Sequence, residues 1–383
     1  MGRRLILFLL GLLSAACGAR TPEETAERLD DAVARVVEKH DGVRHAVLHV
    51  DAPDLGLSQT WVHGVANGQG AAMTTDTQFL SASVGKLFTA AAVLSLVAEG
   101  LLELDDPVVD WVAPERLTGL PRMGGTLTLG DLLAHRSGLP DYFDGETADG
   151  TPTVFEQWVA SPEMPWTRQG MLDHTRRHQV PTDVPFTYAD TNYTLLGFVI
   201  EGVTGAASFQ DVVMERVIAP AGLEATWYHH PLVGEPLEPQ WAQSWAGDVE
   251  LAHAACLSGD QAGGGLVTTA PDLARFLRWL ASGDDVSFAD LSEGTLTEDA
   301  LGRGLDYGLG LWRIRPGRVF FALGGLPTLV GASGATGSFA YYIDEYDAVV
   351  TGTFDQTDWQ ERHIRFLLSD VLPALARTAP EDG

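Results

Sequence analysis

Residues 83–99 read Ser83-Val84-Gly85-Lys86-Leu87-Phe88-Thr89-Ala90-Ala91-Ala92-Val93-Leu94-Ser95-Leu96-Val97-Ala98-Glu99, and Gly100 follows. The run is apolar nearly all round, which fits a helix buried at the centre of a domain, and the glycine supplies a stop. Lys86 is the exception, three residues after Ser83. On a helix that spacing places both side chains on one face, one turn apart, so an amine can reach a hydroxyl. Serine is a weak nucleophile until a neighbour takes its proton. A desolvated lysine can lose a proton whereas arginine cannot, so the residue type at 86 carries information. Only Lys39 and Lys86 among the 24 Lys and Arg residues are lysine.

A second stretch, Phe186-Thr187-Tyr188-Ala189-Asp190-Thr191-Asn192-Tyr193-Thr194-Leu195-Leu196-Gly197, places a tyrosine on a loop that feeds a helix. A phenol titrates near 10, and an adjacent ammonium favours phenolate. Tyr188 is therefore expected to have a lowered pKa and to act as a general base with Lys86.

Ser83-x-x-Lys86 and Tyr188-x-Asp190 resemble the first two motifs of the serine β-lactamase and penicillin-binding D-alanyl-D-alanine carboxypeptidase family, particularly its class C β-lactamase-related members. Asp131-Leu132-Leu133-Ala134-His135-Arg136-Ser137-Gly138-Leu139 is similar to the family's His-x-Ser-Gly-Leu loop. Gly263-Gly264-Gly265-Leu266 and Tyr307-Gly308-Leu309-Gly310 match later landmarks in order, so the resemblance covers about residues 40–375. It implies an α+β, β-lactamase/transpeptidase-like fold: an antiparallel sheet flanked by helices, with an all-helical insert lobe. It also implies catalytic Ser83, Lys86 and Tyr188, and an oxyanion held between the backbone N–H groups of Ser83 and Ala335.

The chain departs from the family in its third motif, ordinarily Lys, His or Arg, then any residue, then Gly. The matching segment is Gly331-Ala332-Ser333-Gly334-Ala335-Thr336-Gly337, with Ala332 at the basic position. Asp190 stands where asparagine is usual. Ala332, Ser333, Gly334, Ala335 and Asp190 are the expected substrate-facing residues, and both departures make the cleft less positive. The basic residue partly holds carboxylate substrates in the family, so the expected substrate is a small-molecule or peptide ester or amide lacking a free carboxylate, with a cationic end facing Asp190. Asp190 hydrogen-bonded to Lys86 is the alternative. From another class, the rival is a catalytically impaired envelope binding protein of the same fold.

Composition narrows the field. With 52 acidic against 24 basic residues the formal charge is −28, which repels nucleic-acid phosphates and anionic lipid surfaces. Residues 1–17 carry Arg3 and Arg4, an apolar run from Leu5 to Leu13, then Ser14, Ala15, Ala16 and Cys17. That is the pattern of an export signal; the run is too short to span a bilayer comfortably, so a stable transmembrane helix is the weaker option. Leu13-Ser14-Ala15-Ala16-Cys17-Gly18 resembles a bacterial lipobox with its leucine one place early, so lipidation of Cys17 is expected and plain cleavage near Ala16 or Ala19 is the alternative. The expected location is the bacterial periplasm or cell envelope, with membrane attachment only through that anchor. Lipidation leaves Cys256 as the sole thiol and no disulfide.

Periodicity supplies the rest. Residues 18–40 read as a linker and an amphipathic helix with Leu29, Val33 and Val36 inward. The hydrolase domain runs 41–378, with strands at 44–50 and 59–65, helices at 129–135, 192–204, 208–218 and 271–282, and a helical lobe over about 105–283. Strands follow at 307–315, 318–323, 338–344 and 348–354, then a helix at 358–377 and a tail at 379–383. No cofactor or metal is expected: His174 and His178 lack the glutamate of a His-Glu-x-x-His protease and read as surface residues, and His229-His230 point apart. His135 reads as a structural hydrogen-bonder. No G-x-S-x-G elbow supports an α/β-hydrolase.

Overall fold

The computed structural model describes residues 19–122, 126–180, 185–229, 241–259, 261–292 and 296–378. Cys17, the export segment and the tail at 379–383 lie outside the described residues.

Helix α1 (Pro22–Lys39) starts at a reciprocal cap between Thr21 and Glu24, with Pro22 in its first turn. Leu29, Ala32, Val33 and Val36 face inward, as their spacing requires. Strands β1 (His45–Ala52) and β2 (Leu57–Gly64) follow as an antiparallel hairpin. Helix α2 (Gly85–Ala98) is buried along most of its length, with Phe88 stacked on Phe276 at 3.7 Å between ring centroids. Burial of each large apolar side chain of this kind contributes about 1.5–3 kcal/mol.

The chain then builds the second lobe, in which α3 (Leu129–Leu133) and α4 (Asp190–Thr204) matter most for the site, before α5 (Ala270–Ser282) packs back on the main sheet. It returns through β3 (Thr297–Gly302), β4 (Leu305–Tyr307), β5 (Trp312–Ile314), β6 (Leu329–Ser333), β7 (Phe339–Ile343) and β8 (Ala348–Thr353). The main sheet has the order β2-β1-β8-β7-β6-β5-β4-β3, so strands from both ends of the chain pair one strand in from its edge. One face packs on α1 and the C-terminal helical turns, including α6 (Arg362–Phe366); the other packs on the core around α2 and α5. Covered on both faces, β8 is buried at all six positions.

Three expectations are corrected. The insert lobe is not all-helical: Phe79–Leu80, Leu266–Thr268 and Trp227–Tyr228 form a small sheet, and Trp245–Ala246 pairs with Val249–Glu250. Residues 318–323 are no strand, because Pro316 starts a helical turn over Pro316–Val319 and a further turn spans Phe321–Leu323. The helix expected at 358–377 starts later, after a separate turn over Thr357–Trp359, and runs without a gap through Arg362–Phe366, Leu367–Val371 and Leu372–Leu375; its middle segment widens, since Pro373 has no N–H to continue a regular hydrogen-bond ladder.

Candidate active site

Ser83 sits in the tight turn Ala82–Val84 that leads into α2, so its side chain stands at the end of the buried helix and is partly exposed. Ala82 just before it has φ +47°, a left-handed conformation uncommon for an L side chain and costing on the order of 1–3 kcal/mol. The turn is held in place from both sides. Ser81 bonds the Leu266 carbonyl through its N–H at 2.9 Å and its hydroxyl at 3.0 Å. From the opposite side, Ser338 Oγ donates to the Ser81 carbonyl at 2.5 Å and Thr336 Oγ1 to the Leu80 carbonyl at 3.0 Å.

Lys86 is 1% exposed. Its Nζ reaches Ser83 Oγ at 2.9 Å and the Gly263 carbonyl at 2.8 Å, and pairs with Asp190 Oδ1. An ammonium has three N–H donors, which these acceptors and the Tyr188 hydroxyl share. The hydroxyl of Tyr188 is hydrogen-bonded to Ser83 and Lys86, and the tyrosine ring centroid lies 5.2 Å from Nζ. The structure thus brings Ser83, Lys86, Tyr188 and Asp190 into one cluster.

The expected low pKa of Tyr188 is not found. Burial pushes the phenol up to about 12; Lys86 pulls it down, but the Asp190 charge opposes that pull. At neutral pH Tyr188 keeps its proton and offers a hydrogen bond. Asp190 is likewise not open to a substrate cation, because its carboxylate is engaged by Lys86 and its side chain is 11% exposed.

Two residues without a role in the sequence reading, Asp141 and Asn192, explain how the tyrosine loop is placed. Ala189 occupies the N-cap of α4 and has no side-chain oxygen, so Asp141 caps instead, accepting the Asp190 N–H on Oδ1 at 2.9 Å. Burial and the neighbouring Asp190 charge hold the Asp141 carboxyl well above the usual range. Asn192, one turn into α4, takes a hydrogen bond from Ser137 Oγ at 2.7 Å and gives one to His135 Nδ1 at 2.9 Å. His135 Nδ1 also accepts the Ala189 N–H at 3.1 Å, and its ring stacks on Tyr188 at 4.2 Å. Burial first and Lys86 second keep His135 neutral, as an acceptor should be. The one available signal was proximity: Asn192 and Asp141 each lie within two residues of a quoted motif.

On the sheet side the third motif occupies the end of β6 and the turn beyond it. Ala332 is 1% exposed and its methyl lies in the core around α2, so it presents nothing to a substrate. Ser333 points to the other face of the sheet, where its Oγ meets Tyr341 and His363, and it too is corrected as a substrate contact. Gly334 is required sterically: a Cβ there would lie 2.2 Å from the Ser81 carbonyl oxygen. Ala335 is partly exposed and lies on the same turn as Thr336 and Ser338, which bind the strand preceding Ser83.

His174 and His178 are not surface residues. Both are 5% exposed, Nδ1 of the first lies 2.9 Å from Nε2 of the second, and His174 Nε2 lies 3.0 Å from the Pro152 carbonyl oxygen. They are a packing pair, away from the Ser83 cluster. Cys256 is buried and forms no disulfide among the described residues.

The Beta-lactamase family profile matches residues 29–369. Penicillin-binding protein 4 of Amycolatopsis lactamdurans is 32% identical over 217 residues, 55% of this chain and 52% of that one. Penicillin-binding protein 4* of Bacillus subtilis (strain 168) is 28% identical over 275 residues, 67% and 57% of the two chains. The chain therefore spans little more than half the length of these curated relatives. Among solved structures, a D-amino acid amidase from Ochrobactrum anthropi SV3, complexed with L-phenylalanine amide, superposes with a TM-score of 0.73 and 24% identity, covering 92% of this chain and 99% of the amidase. That likeness shows the fold.

Proposed function

The chain belongs to the Beta-lactamase family of serine hydrolases, and from that premise we propose that it cleaves an amide or ester through an acyl-Ser83 intermediate, preferring substrates without a free carboxylate. The observation that carries the reading is the 2.9 Å contact between Lys86 Nζ and Ser83 Oγ inside a cluster that also holds Tyr188 and Asp190.

The chemistry follows from which group can hold a proton. One ammonium proton passes from Lys86 to Asp190, turning the ion pair into an amine and an acid. The amine takes the Ser83 proton as Oγ attacks the carbonyl, and the oxyanion forms against the backbone N–H groups of Ser83 and Ala335. Tyr188, which retains its proton, delivers it to the leaving amine or alcohol and is reprotonated by Lys86. Water then attacks the acyl-serine with the same cluster as base, releasing the acid. The preference follows from charge: Lys86 is neutralised by Asp190, and Ala332 supplies no second cation.

Export through residues 1–17, with lipidation of Cys17 and residence in a bacterial periplasm or cell envelope, belongs to the same proposal and rests on the segment's sequence. A mature N-terminal peptide beginning at a diacylated Cys17 supports it; one beginning at any other residue rejects the anchor.

The catalytic reading is tested by intact mass spectrometry of residues 18–383 after exposure to a fluorophosphonate, beside Ser83→Ala. One adduct, absent from the variant, is expected. A folded protein that takes up none is a binding protein.

A further inference from the structure

On the face of β6 turned away from Ser83, a closed polar chain lies inside an otherwise apolar layer. Ser333, 3% exposed, meets the Tyr341 hydroxyl and, at 2.6 Å, His363 Nε2. His363 is fully buried on α6, and its Nδ1 lies 3.1 Å from the Trp359 carbonyl oxygen. A carbonyl can only accept, so Nδ1 carries the ring proton and Nε2 offers a lone pair. The Ser333 hydroxyl must then donate to His363, and its oxygen accepts from Tyr341. Burial depresses the His363 pKa to about 4, which agrees with a neutral, accepting ring. The imidazole is further fixed parallel to the Phe339 ring, 5° between planes. Every hydrogen in the chain has one destination.

Its place along the strand gives it a consequence. Ser333 is the last residue of β6, and Gly334 and Ala335 come next. The turn that carries Ala335 is stitched at its exit to the backbone before Ser83, through Thr336 and Ser338. At its entry, the backbone bond from the Gly334 N–H to the Ser338 carbonyl at 2.9 Å closes the turn, and the side-chain restraints are the bonds of Ser333 to His363 and Tyr341. Without the His363 acceptor the Ser333 hydroxyl keeps only Tyr341, so the entry of the turn is anchored less firmly and gains freedom to reorient.

We propose that His363 is a positioning residue for the hydrolysis: through Ser333 it ties the entry of the 334–338 turn to the C-terminal helix and so sets the direction of the Ala335 N–H relative to Ser83. The proposal rests on Ser83 being the nucleophile. An oxyanion donor counts only where the charge forms, so loosening its support weakens the transition state more than it weakens substrate binding.

Two independent readouts test it on residues 18–383, with His363→Phe and His363→Gln beside wild type. The first is hydrogen–deuterium exchange. His363→Phe keeps a ring but removes the acceptor, and exchange of the Ala335–Ser338 amides is expected to rise about tenfold while β1 and β2 are unchanged; equal exchange in wild type and variant overturns the proposal whether or not the protein proves to be an enzyme. The second is turnover of a p-nitrophenyl ester, where kcat is expected to fall about tenfold at nearly constant KM, with His363→Gln, whose amide oxygen can accept from Ser333, recovering most of the loss. A rise in KM without a fall in kcat, or no recovery by glutamine, overturns it. Ser333→Ala removes the same bond with little change of volume, and it replaces His363→Phe if that variant does not fold. Wild type that turns over no ester and takes no fluorophosphonate rejects the functional reading instead, and the exchange result still decides the restraint.

Discussion

Around Lys86, segments distant in sequence converge on one buried ammonium: Ser83 from the start of α2, the Gly263 carbonyl from a glycine-rich turn, and Tyr188 with Asp190 from the start of α4. Across the site, the end of β6 brings Ala332, Ser333, Gly334 and Ala335, none of which can carry a charge. Both regions are closely held. The first is held by charge and hydrogen bonds aimed at Ser83, the second by a bond aimed away from the site and by steric contact beneath it. Under the proposed function, the contrast teaches that proton handling and substrate recognition are separable on this fold. The groups that would activate the serine lie together, while the basic position of the third motif is filled by core-packed alanine.

The comparison breaks most visibly on its charged side. Lys86→Arg keeps the cation and an ion pair with Asp190 but cannot surrender a proton, so ester turnover is expected to fall by roughly 10²- to 10⁴-fold in steady-state assays. A loss under tenfold would mean that Lys86 serves only as a fixed charge.

On the uncharged side the effects are smaller. Ala332→Lys places an ammonium at the end of β6, and the ratio of kcat/KM for a carboxylate-bearing ester over its neutral counterpart is expected to rise about tenfold, equivalent to about 1.4 kcal/mol. The same substitution overpacks the core and should lower stability by about 1–3 kcal/mol in denaturant unfolding. An unchanged ratio in a folded variant would sever the link between position 332 and carboxylate preference.

A pH effect separates the His363 chain from the rest of the fold. A histidine at about 4 when folded and about 6.5 when unfolded binds more protons unfolded between those values. Its contribution to stability is therefore complete above about pH 6.5 and is lost as pH falls towards 4, with a slope of about 1.4 kcal/mol per pH unit inside the window. His363→Gln should flatten the acid side of the stability curve by that increment, measured by urea unfolding from pH 7.5 to 4. Parallel wild-type and variant curves would show that His363 is not neutral in the folded protein.

Much of the fold was legible. The α1 face, the first hairpin, α2, α4 and α5 were each announced by residue pattern, and α2 also by its stop at Gly100. Less legible were elements whose form depends on a partner. Leu266–Thr268 is too short to show a period and exists as a strand because Phe79–Leu80 and Trp227–Tyr228 lie beside it. In 358–377 an apolar stripe was read correctly as helical, but Pro373 and a wide turn over Leu367–Val371 distort it. The site divides in the same way. Ser83 with Lys86 was readable because three residues of helix fix their relation. The Tyr188 pKa was not, because its sign depends on burial and on Asp190 as well as on the ammonium.

By itself the sequence determined which side chains could do chemistry: a helix-borne Ser83 and Lys86, a loop-borne Tyr188, and alanine where relatives carry a base. These are properties of residue type and short-range spacing, which helix geometry and ionisation chemistry turn into statements about function. Only the tertiary structure decided what each group meets. Asp190 meets Lys86 and not a substrate, Ser333 meets His363, Asp141 caps a helix 49 residues away, and Gly334 rides on the Ser81 carbonyl. Those contacts join segments far apart along the chain, and they arise from packing the whole sheet against its helices, where hydrogen-bond partners and charge states are set by burial rather than by sequence neighbours.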